Sequence, residues 1–398
     1  MSRDLPTDED RRVAPAGAAL APRYVVWELT LACDLACRHC GSRAGKERAA
    51  ELSLAEGLRV LDQLAEAGTR EITFIGGEAY LHPEWLGFVR GAVERGIRAA
   101  LTTGGRGVSE LAEQAASAGL SAVSVSIDGL RDTHDTLRAV RGSFDRALEA
   151  VEAVRAAGMA SYANTQINRL NLGELDELFA LLMGAGVQAW QVQLTGPMGR
   201  AADRPDWLLQ PYELLELVPR LAGFARAAAE RGRMVHAANN LGYFGPHEQD
   251  LRLQHWAGCA AGKQVLGIES NGDVKGCPSL PSAPYVGGNL RTARLSEIWA
   301  RAELAFARDR PLDELWGHCE GCYYAAVCRG GCSWTSHTLL GRRGNMPYCF
   351  HRADMLRAEG RRERLVQVEA APGEPFDFGR YELVEEPWPP EPERGSDR

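Results

Sequence analysis

The amino-acid sequence predicts an α/β chain, a parallel sheet covered by helices and followed by a small cysteine-rich domain. Two patterns carry this. Between Tyr24 and Thr195, six apolar strand-like runs alternate with amphipathic helical stretches, as strands buried on both faces and joined by crossover helices require. From Gly258 to about Met355 the chain turns to short segments rich in cysteine, glycine and tryptophan. The alternation alone fits an open sheet or a partial barrel.

Taken in order, residues 1–22 are polar, rich in Ala and Pro, and read as a flexible N-terminal segment. Tyr24–Thr30 is the first strand, and it runs into a cysteine loop. Ser53 is an N-cap with Glu56 three residues on, opening a helix towards Gly68. Strands follow at Glu71–Gly77 and Ile97–Gly105, with a helix from about Pro83 to Gly96 between them and another ending near Gly119. Ala122–Asp128 and Tyr162–Asn168 flank a helix from Phe144 to Gly158, and Ala189–Thr195 is the sixth strand. After it come an irregular Gly-Pro-Met-Gly-Arg, a helix from about Pro211 to Gly232, and Met234-Val-His-Ala-Ala. The expected domains are 23–250, 251–358 for the cysteine-rich part, and a charged, Pro-containing tail at 359–398, read as extended or without fixed structure.

With 398 residues and 45% hydrophobic content the chain can bury a sizeable core. A net charge of −8 argues against nucleic acid and acidic membranes as partners. There is no apolar run of about 18 residues, and the first ten residues lack the basic-then-apolar layout of a signal peptide. Ten cysteines in that setting point to a reducing compartment, the cytoplasm, and to metal binding rather than disulfides.

Cys33, Cys37 and Cys40 stand at Cys-x3-Cys-x2-Cys spacing directly behind the first strand. Three thiolates from one loop can hold three irons of a 4Fe–4S cube and leave the fourth open to a ligand. Zinc would need a fourth donor. His39 is the only local candidate and sits too close to Cys40 to share one metal easily, while three thiols are an odd number to pair as disulfides.

This spacing in this place resembles the signature of the radical S-adenosylmethionine (SAM) superfamily. The resemblance implies a partial (β/α)6 TIM-type barrel, SAM chelated on the open iron, and a 5′-deoxyadenosyl radical that abstracts hydrogen from substrate. It also implies cofactor contacts. Gly76-Gly77-Glu78 ends the second strand and resembles the family's Gly-Gly-Glu motif: glycines allow close backbone approach and the carboxylate takes the SAM amino group. Alone, a Gly-Gly strand end reads as a tight turn. Ser126, in Ser-Ile-Asp-Gly, resembles a contact to the ribose or methionine part, and Arg138 resembles an arginine facing the SAM carboxylate, its plain alternative being a solvated charge. Asn164 and Gln193 point to the same strand ends, or satisfy loop backbone. His39 resembles a residue near the adenine, against ordinary loop packing.

The other seven cysteines, Cys259, Cys277, Cys319, Cys322, Cys328, Cys332 and Cys349, resemble the SPASM domain with its two auxiliary iron–sulfur clusters; zinc ribbons fit seven thiols poorly. By that resemblance Cys319, Cys322, Cys328 and Cys349 hold one cluster. Cys259, Cys277 and Cys332 hold the other, with one iron left either open or to a non-cysteine group. Sulfatase-type members carry an Asp after the residue matching Cys277, where this chain has Pro278. The loop and Gly-Gly-Glu-Ala-Tyr-Leu look most like peptide maturases, so the implied substrate is a ribosomally made precursor peptide that receives a crosslink, epimerisation or backbone excision. The alternatives are a cofactor- or haem-tailoring enzyme and a non-catalytic iron–sulfur electron-transfer protein. The 22 leading residues are too few for a winged-helix recognition module. A separate leader-peptide recognition protein, or the barrel mouth itself, is therefore expected to capture the peptide, with a flavodoxin- or ferredoxin-type electron donor. Tyr80 and Tyr285 lie near the motifs and receive no role.

Overall fold

The computed structural model describes residues 20–238, 240–252, 258–308 and 310–389; most of the N-terminal segment expected to be flexible lies outside them. The strands are β1 (Tyr24–Thr30), β2 (Glu71–Gly76), β3 (Arg98–Thr103), β4 (Ala122–Ser126), β5 (Ala160–Ile167), β6 (Ala189–Leu194), β7 (Met234–Ala237), β8 (Val265–Ile268), β9 (Asp273–Lys275) and β10 (Val286–Asn289). All ten form one sheet in the order β10-β9-β8-β1-β2-β3-β4-β5-β6-β7. From β8 to β7 every pairing is parallel. The helices are α1 (Leu54–Glu66), α2 (Trp85–Glu94), α3 (Ala112–Ser117), α4 (Arg131–Arg138), α5 (Ser143–Ala156), α6 (Leu175–Ala185) and α7 (Leu214–Ala229). This is a partial TIM-type barrel followed by a cysteine-rich domain.

The expected elements form for the expected reasons. Ser53 caps α1 in a reciprocal box with Glu56, satisfying donors that the first helical turn leaves open. Several elements were missed, the following two among them. Met234-Val-His-Ala becomes a seventh strand, too short for a periodic signal, and α4 forms from a polar run, Arg131-Asp-Thr-His-Asp-Thr-Leu-Arg, whose buried face is only His134, Leu137 and Arg138.

The sheet has two unlike faces, because register partners in a parallel pair share a side. Val25, Trp27, Phe74, Leu101, Val123, Val125, Ala163, Trp190 and Val192 face the helices and are buried. α2 closes on them through Phe88, edge-on to Trp27 at 5.5 Å. Gly57 of α1 leaves room for that ring, since a Cβ there would sit 2.1 Å from it. The opposite face is polar: Ser126 pairs with Asn164, Asn164 with Gln191, Gln191 with His236, and Gln166 with Gln193. None of these polar side chains is fully buried. They line a wettable lumen.

The boundary expected near residue 250 is not a break in the sheet. β8, already in the cysteine-rich region, pairs with β1 from Tyr24↔Val265 to Trp27↔Ile268. The charged tail is also corrected, at residues 361–387. Arg361–Glu369 (β11) and Arg380–Pro387 (β12) form an antiparallel hairpin, because a sparse apolar set, Leu365 and Tyr381, is buried among the charges. Gln210 brackets Leu365, accepting from its N–H at 2.6 Å and donating to its carbonyl at 3.4 Å.

Candidate active site

The cluster loop leaves the C-terminal end of β1, where parallel α/β folds place their sites. Cys33, Cys37 and Cys40 are free thiols. Burial pushes the Cys33 thiol up to about 12 and raises Cys37 as well, the latter opposed by Arg138. The loop is braced on all sides. Tyr80 donates to Asp34 at 3.0 Å. Arg200 donates from Nε to the Cys37 carbonyl at 2.7 Å and from its backbone N–H to the Cys40 carbonyl at 2.9 Å.

Gly76 and Gly77 are required by this loop. A Cβ on Gly76 would lie 2.1 Å from the Thr30 carbonyl oxygen, and one on Gly77 2.1 Å from that of Ala32. The two glycines let β2 approach the backbone at the end of β1 and the start of the cluster loop. Glu78 follows, fully buried, accepting from Thr103 Oγ1 and from the Gly104 N–H, each at 2.6 Å. Burial pushes its carboxyl up to about 7, against those two donors. A cationic amine arriving beside it would favour the anion.

Arg138 is not a surface charge. It is 8% exposed, with Nη2 2.5 Å from Asp128 Oδ2 and Nη1 3.6 Å from Cys37 Sγ. Asp128 is the hub. Its Oδ2 also lies 3.0 Å from His39 Nε2, and its Oδ1 accepts from the Gln166 N–H at 2.8 Å. Burial alone would raise its carboxyl, yet Arg138 and His39 hold it well below the usual range. His39 is 1% exposed, its Nδ1 lies 3.2 Å from the Leu137 carbonyl and its Nε2 faces Asp128. Through these two contacts His39 ties the cluster loop to α4.

Ser126 and Asn164 are cross-strand neighbours at the lumen, and Asn164 Oδ1 is a buried acceptor with no partner among the described residues. Gln193 stands one step further along β6, opposite Gln166. Sequence reasoning passed over Asp128, inside a segment it had quoted, and Arg200, in the irregular stretch after β6. The signal for Asp128 was a charged residue just beyond the end of β4; Arg200 lies well past the end of β6 and carried no comparable signal.

In the second domain, Cys319, Cys322, Cys328 and Cys349 line one cavity together with Tyr243, His318, Tyr324 and His351. Cys277 is pushed up to about 12 by burial and by the neighbouring Cys259 and Cys332. The seven thiols thus gather as four and three. Soft sulfur donors in sets of three, four and three suit iron–sulfur clusters, and the orphaned Asn164 acceptor above a polar lumen suits a polar cofactor beside the first.

Residues 27–182 match the radical SAM superfamily, and residues 259–323 match SPASM, an iron–sulfur cluster-binding domain. The AdoMet-dependent heme synthase of Methanosarcina barkeri is 31% identical over 83% of this chain and 97% of its own length. The mycofactocin maturase MftC of Mycobacterium tuberculosis is 29% identical over 78% of each chain. Among solved structures, SuiB of Streptococcus suis bound to S-adenosylmethionine superposes with a TM-score of 0.64 at 18% identity, over 79% of this chain and 73% of that one. Native anSMEcpe with bound AdoMet gives 0.66 at 16%, over 83% and 95%. These two likenesses show the fold. Together with the cysteine loop and the divided thiols they lead to one conclusion: the chain belongs to the radical SAM superfamily, in the branch that carries a SPASM domain, and binds SAM and 4Fe–4S clusters.

Proposed function

We propose that this enzyme modifies a ribosomally made precursor peptide, abstracting a hydrogen to install a crosslink, an epimerised centre or a backbone excision. When bound, the cluster and SAM supply the 5′-deoxyadenosyl radical that takes the hydrogen. The chain's residues do the rest. Cys33, Cys37 and Cys40 hold the first cluster, and Arg138 offsets thiolate charge beside Cys37. Glu78 receives the amino group of SAM, with Thr103 and Gly104 fixing its two oxygens. Ser126, Asn164 and Gln193 present polar groups to the rest of the cofactor from the lumen face. Asp128 and His39 hold the loop in register with α4. Cys319, Cys322, Cys328 and Cys349 hold one auxiliary cluster; Cys259, Cys277 and Cys332 hold the other, leaving one iron for a non-cysteine ligand. The partners on this reading are the precursor peptide, a separate leader-recognition protein and a flavodoxin- or ferredoxin-type electron donor, in the cytoplasm. Among the described residues no helix is long and apolar enough to cross a membrane.

The observation carrying the peptide reading is the polar lumen face, long enough on β4 to β7 to offer side-by-side amide and hydroxyl groups to an extended backbone, in a chain related to MftC. One observation favours a second reading, haem tailoring: the heme synthase relative aligns over nearly its whole length. The test is anaerobic reduction with SAM, following 5′-deoxyadenosine and substrate mass. The wild type and a Cys33/Cys37/Cys40 triple alanine variant are each given a precursor peptide encoded nearby or an iron porphyrin. Peptide mass change that vanishes in the variant supports the first reading. Porphyrin turnover with an untouched peptide replaces it by the second. Iron-loaded enzyme that yields no 5′-deoxyadenosine with either would return the chain to electron transfer.

A further inference from the structure

The turn joining β11 to β12 is closed by Asp377, whose Oδ2 accepts from the Gly373 N–H at 2.6 Å and the Glu374 N–H at 3.1 Å, and it also reaches outside the hairpin. Asp377 accepts from Arg43 at both carboxylate oxygens, Nε at 2.7 Å and Nη2 at 3.1 Å. Its carbonyl accepts from the Gly199 N–H at 2.7 Å. The ring of Phe376 lies under two cations, 5.1 Å from the Arg48 guanidinium and 5.2 Å from the Lys275 ammonium. Phe378 bridges Met198 through its backbone and packs on His337 at 4.9 Å; His337 in turn meets the Tyr285 hydroxyl at 3.1 Å.

These partners come from three separate places. Arg43 and Arg48 follow the cluster cysteines beyond β1, Met198 and Gly199 follow β6, and Lys275 and His337 belong to the cysteine-rich domain. A turn that touches all three sits on the junction where they meet beyond the C-terminal ends of β1 and β6: Arg200, next to Gly199, donates its backbone N–H to the Cys40 carbonyl at 2.9 Å, and Arg48 lies 3.5 Å from Glu269. Below it, Arg48 and Lys275 are held by Glu28 and Glu269, at 2.8 Å and 2.7 Å, so Phe376 covers a charge network that is already balanced. The backbone is strained at both ends of the contact. Arg43 has φ +51° and Phe376 φ +60°, a region that bulky residues occupy only when their surroundings force it. The hairpin has its own anchor in Leu365 and Gln210, which leaves the turn able to move without unfolding β11 and β12.

We propose that residues 373–378 form a strap across the barrel mouth, latched by Arg43 and Asp377, with Phe376 facing the chamber, which opens to admit ligand and closes over it. The proposal rests on the lumen being the SAM and substrate chamber, and holds for a peptide or a porphyrin alike.

The test uses reconstituted holoenzyme and SAM alone as probe, with binding and release followed by stopped flow. Asp377→Asn removes the charged half of the latch. SAM association and dissociation should then both quicken by about tenfold, the scale of losing a hydrogen bond between charged groups, while the dissociation constant moves by less than about twofold because both rates change together. Phe376→Ala should act in the same direction, and Phe376→Leu, which keeps bulk, should act less. If Asp377→Asn lost iron, Phe376→Ala would be read by itself. Unchanged rates in the variants, or a weaker affinity with unchanged association, would overturn the strap. Because SAM exchange is read without substrate, this result is independent of which substrate is turned over.

Discussion

Arg138→Gln is the sharpest test of how the site is held together. Arg138 and Asp128 are 8% and 1% exposed, with nitrogen and oxygen 2.5 Å apart. Removing the guanidinium leaves the Asp128 carboxylate buried with His39 and the Gln166 N–H beside it but without its full countercharge. Stranding one member of a buried pair typically costs about 3–5 kcal/mol. For a chain of 398 residues that is a fall in melting temperature of roughly 4–6 °C. Asp128→Asn should cost a similar amount, by stranding Arg138. The double variant Arg138→Gln/Asp128→Asn carries neither charge, so it should lose less than the sum of the singles by about 2 kcal/mol or more. Denaturant titration of the four proteins, with iron content measured in each, gives that coupling energy. A double variant as unstable as the two single losses added together would refute the reasoning, and Arg138 would have to be read as acting on the cluster alone.

Other outcomes follow from the same structure. Gly77→Ala forces a Cβ against the Ala32 carbonyl, so the cluster loop must shift; the purified protein should lose roughly one third of its iron, one cluster of three, and all 5′-deoxyadenosine formation. His134 is buried and neutral, its pKa lowered to about 4 by burial and then by Arg138. Its unfolded form binds a proton near pH 6.5 and its folded form does not, so stability is full above that value and falls as the pH drops towards about 4, by roughly 3 kcal/mol across the window. His134→Gln should flatten that slope in denaturation curves taken at successive pH values. Ser53→Ala removes the α1 cap and should cost about 1 kcal/mol in the same assay, with SAM cleavage unchanged.

The first six strands were legible because each is a short apolar run bounded by turn residues, and the cysteines because sulfur spacing is a local property. Ser53 and Glu56 were legible for the same reason: a cap is written within four residues. What stayed hidden depends on distant parts of the chain. Nothing near Asp128 in sequence reveals that His39, 89 positions earlier, will share its carboxylate with Arg138. Gly76 and Gly77 stood out as a pair, but nothing near them shows that Thr30, at the end of β1, and Ala32, in the cluster loop, will crowd them. The hairpin was read as structureless because its charges outnumber its apolar residues. Only the folded partner shows that Leu365 and Tyr381 suffice, with arginine–glutamate pairs such as Arg362–Glu386 at 2.6 Å aligned across the strands.

The pairing of β8 with β1 bears on how such an enzyme can be taken apart. β1 leads directly into the cluster cysteines, and one of its edges is occupied by a strand from the second domain. Cutting the chain near residue 250 would therefore expose a bare row of amide and carbonyl groups beside Trp27, an invitation to pair with another copy. A truncated barrel should come out as oligomer or precipitate rather than as a simpler catalyst. For anyone grafting modules, the two halves are one unit of inheritance: the auxiliary domain travels with the barrel because it completes the strand on which the first cluster hangs.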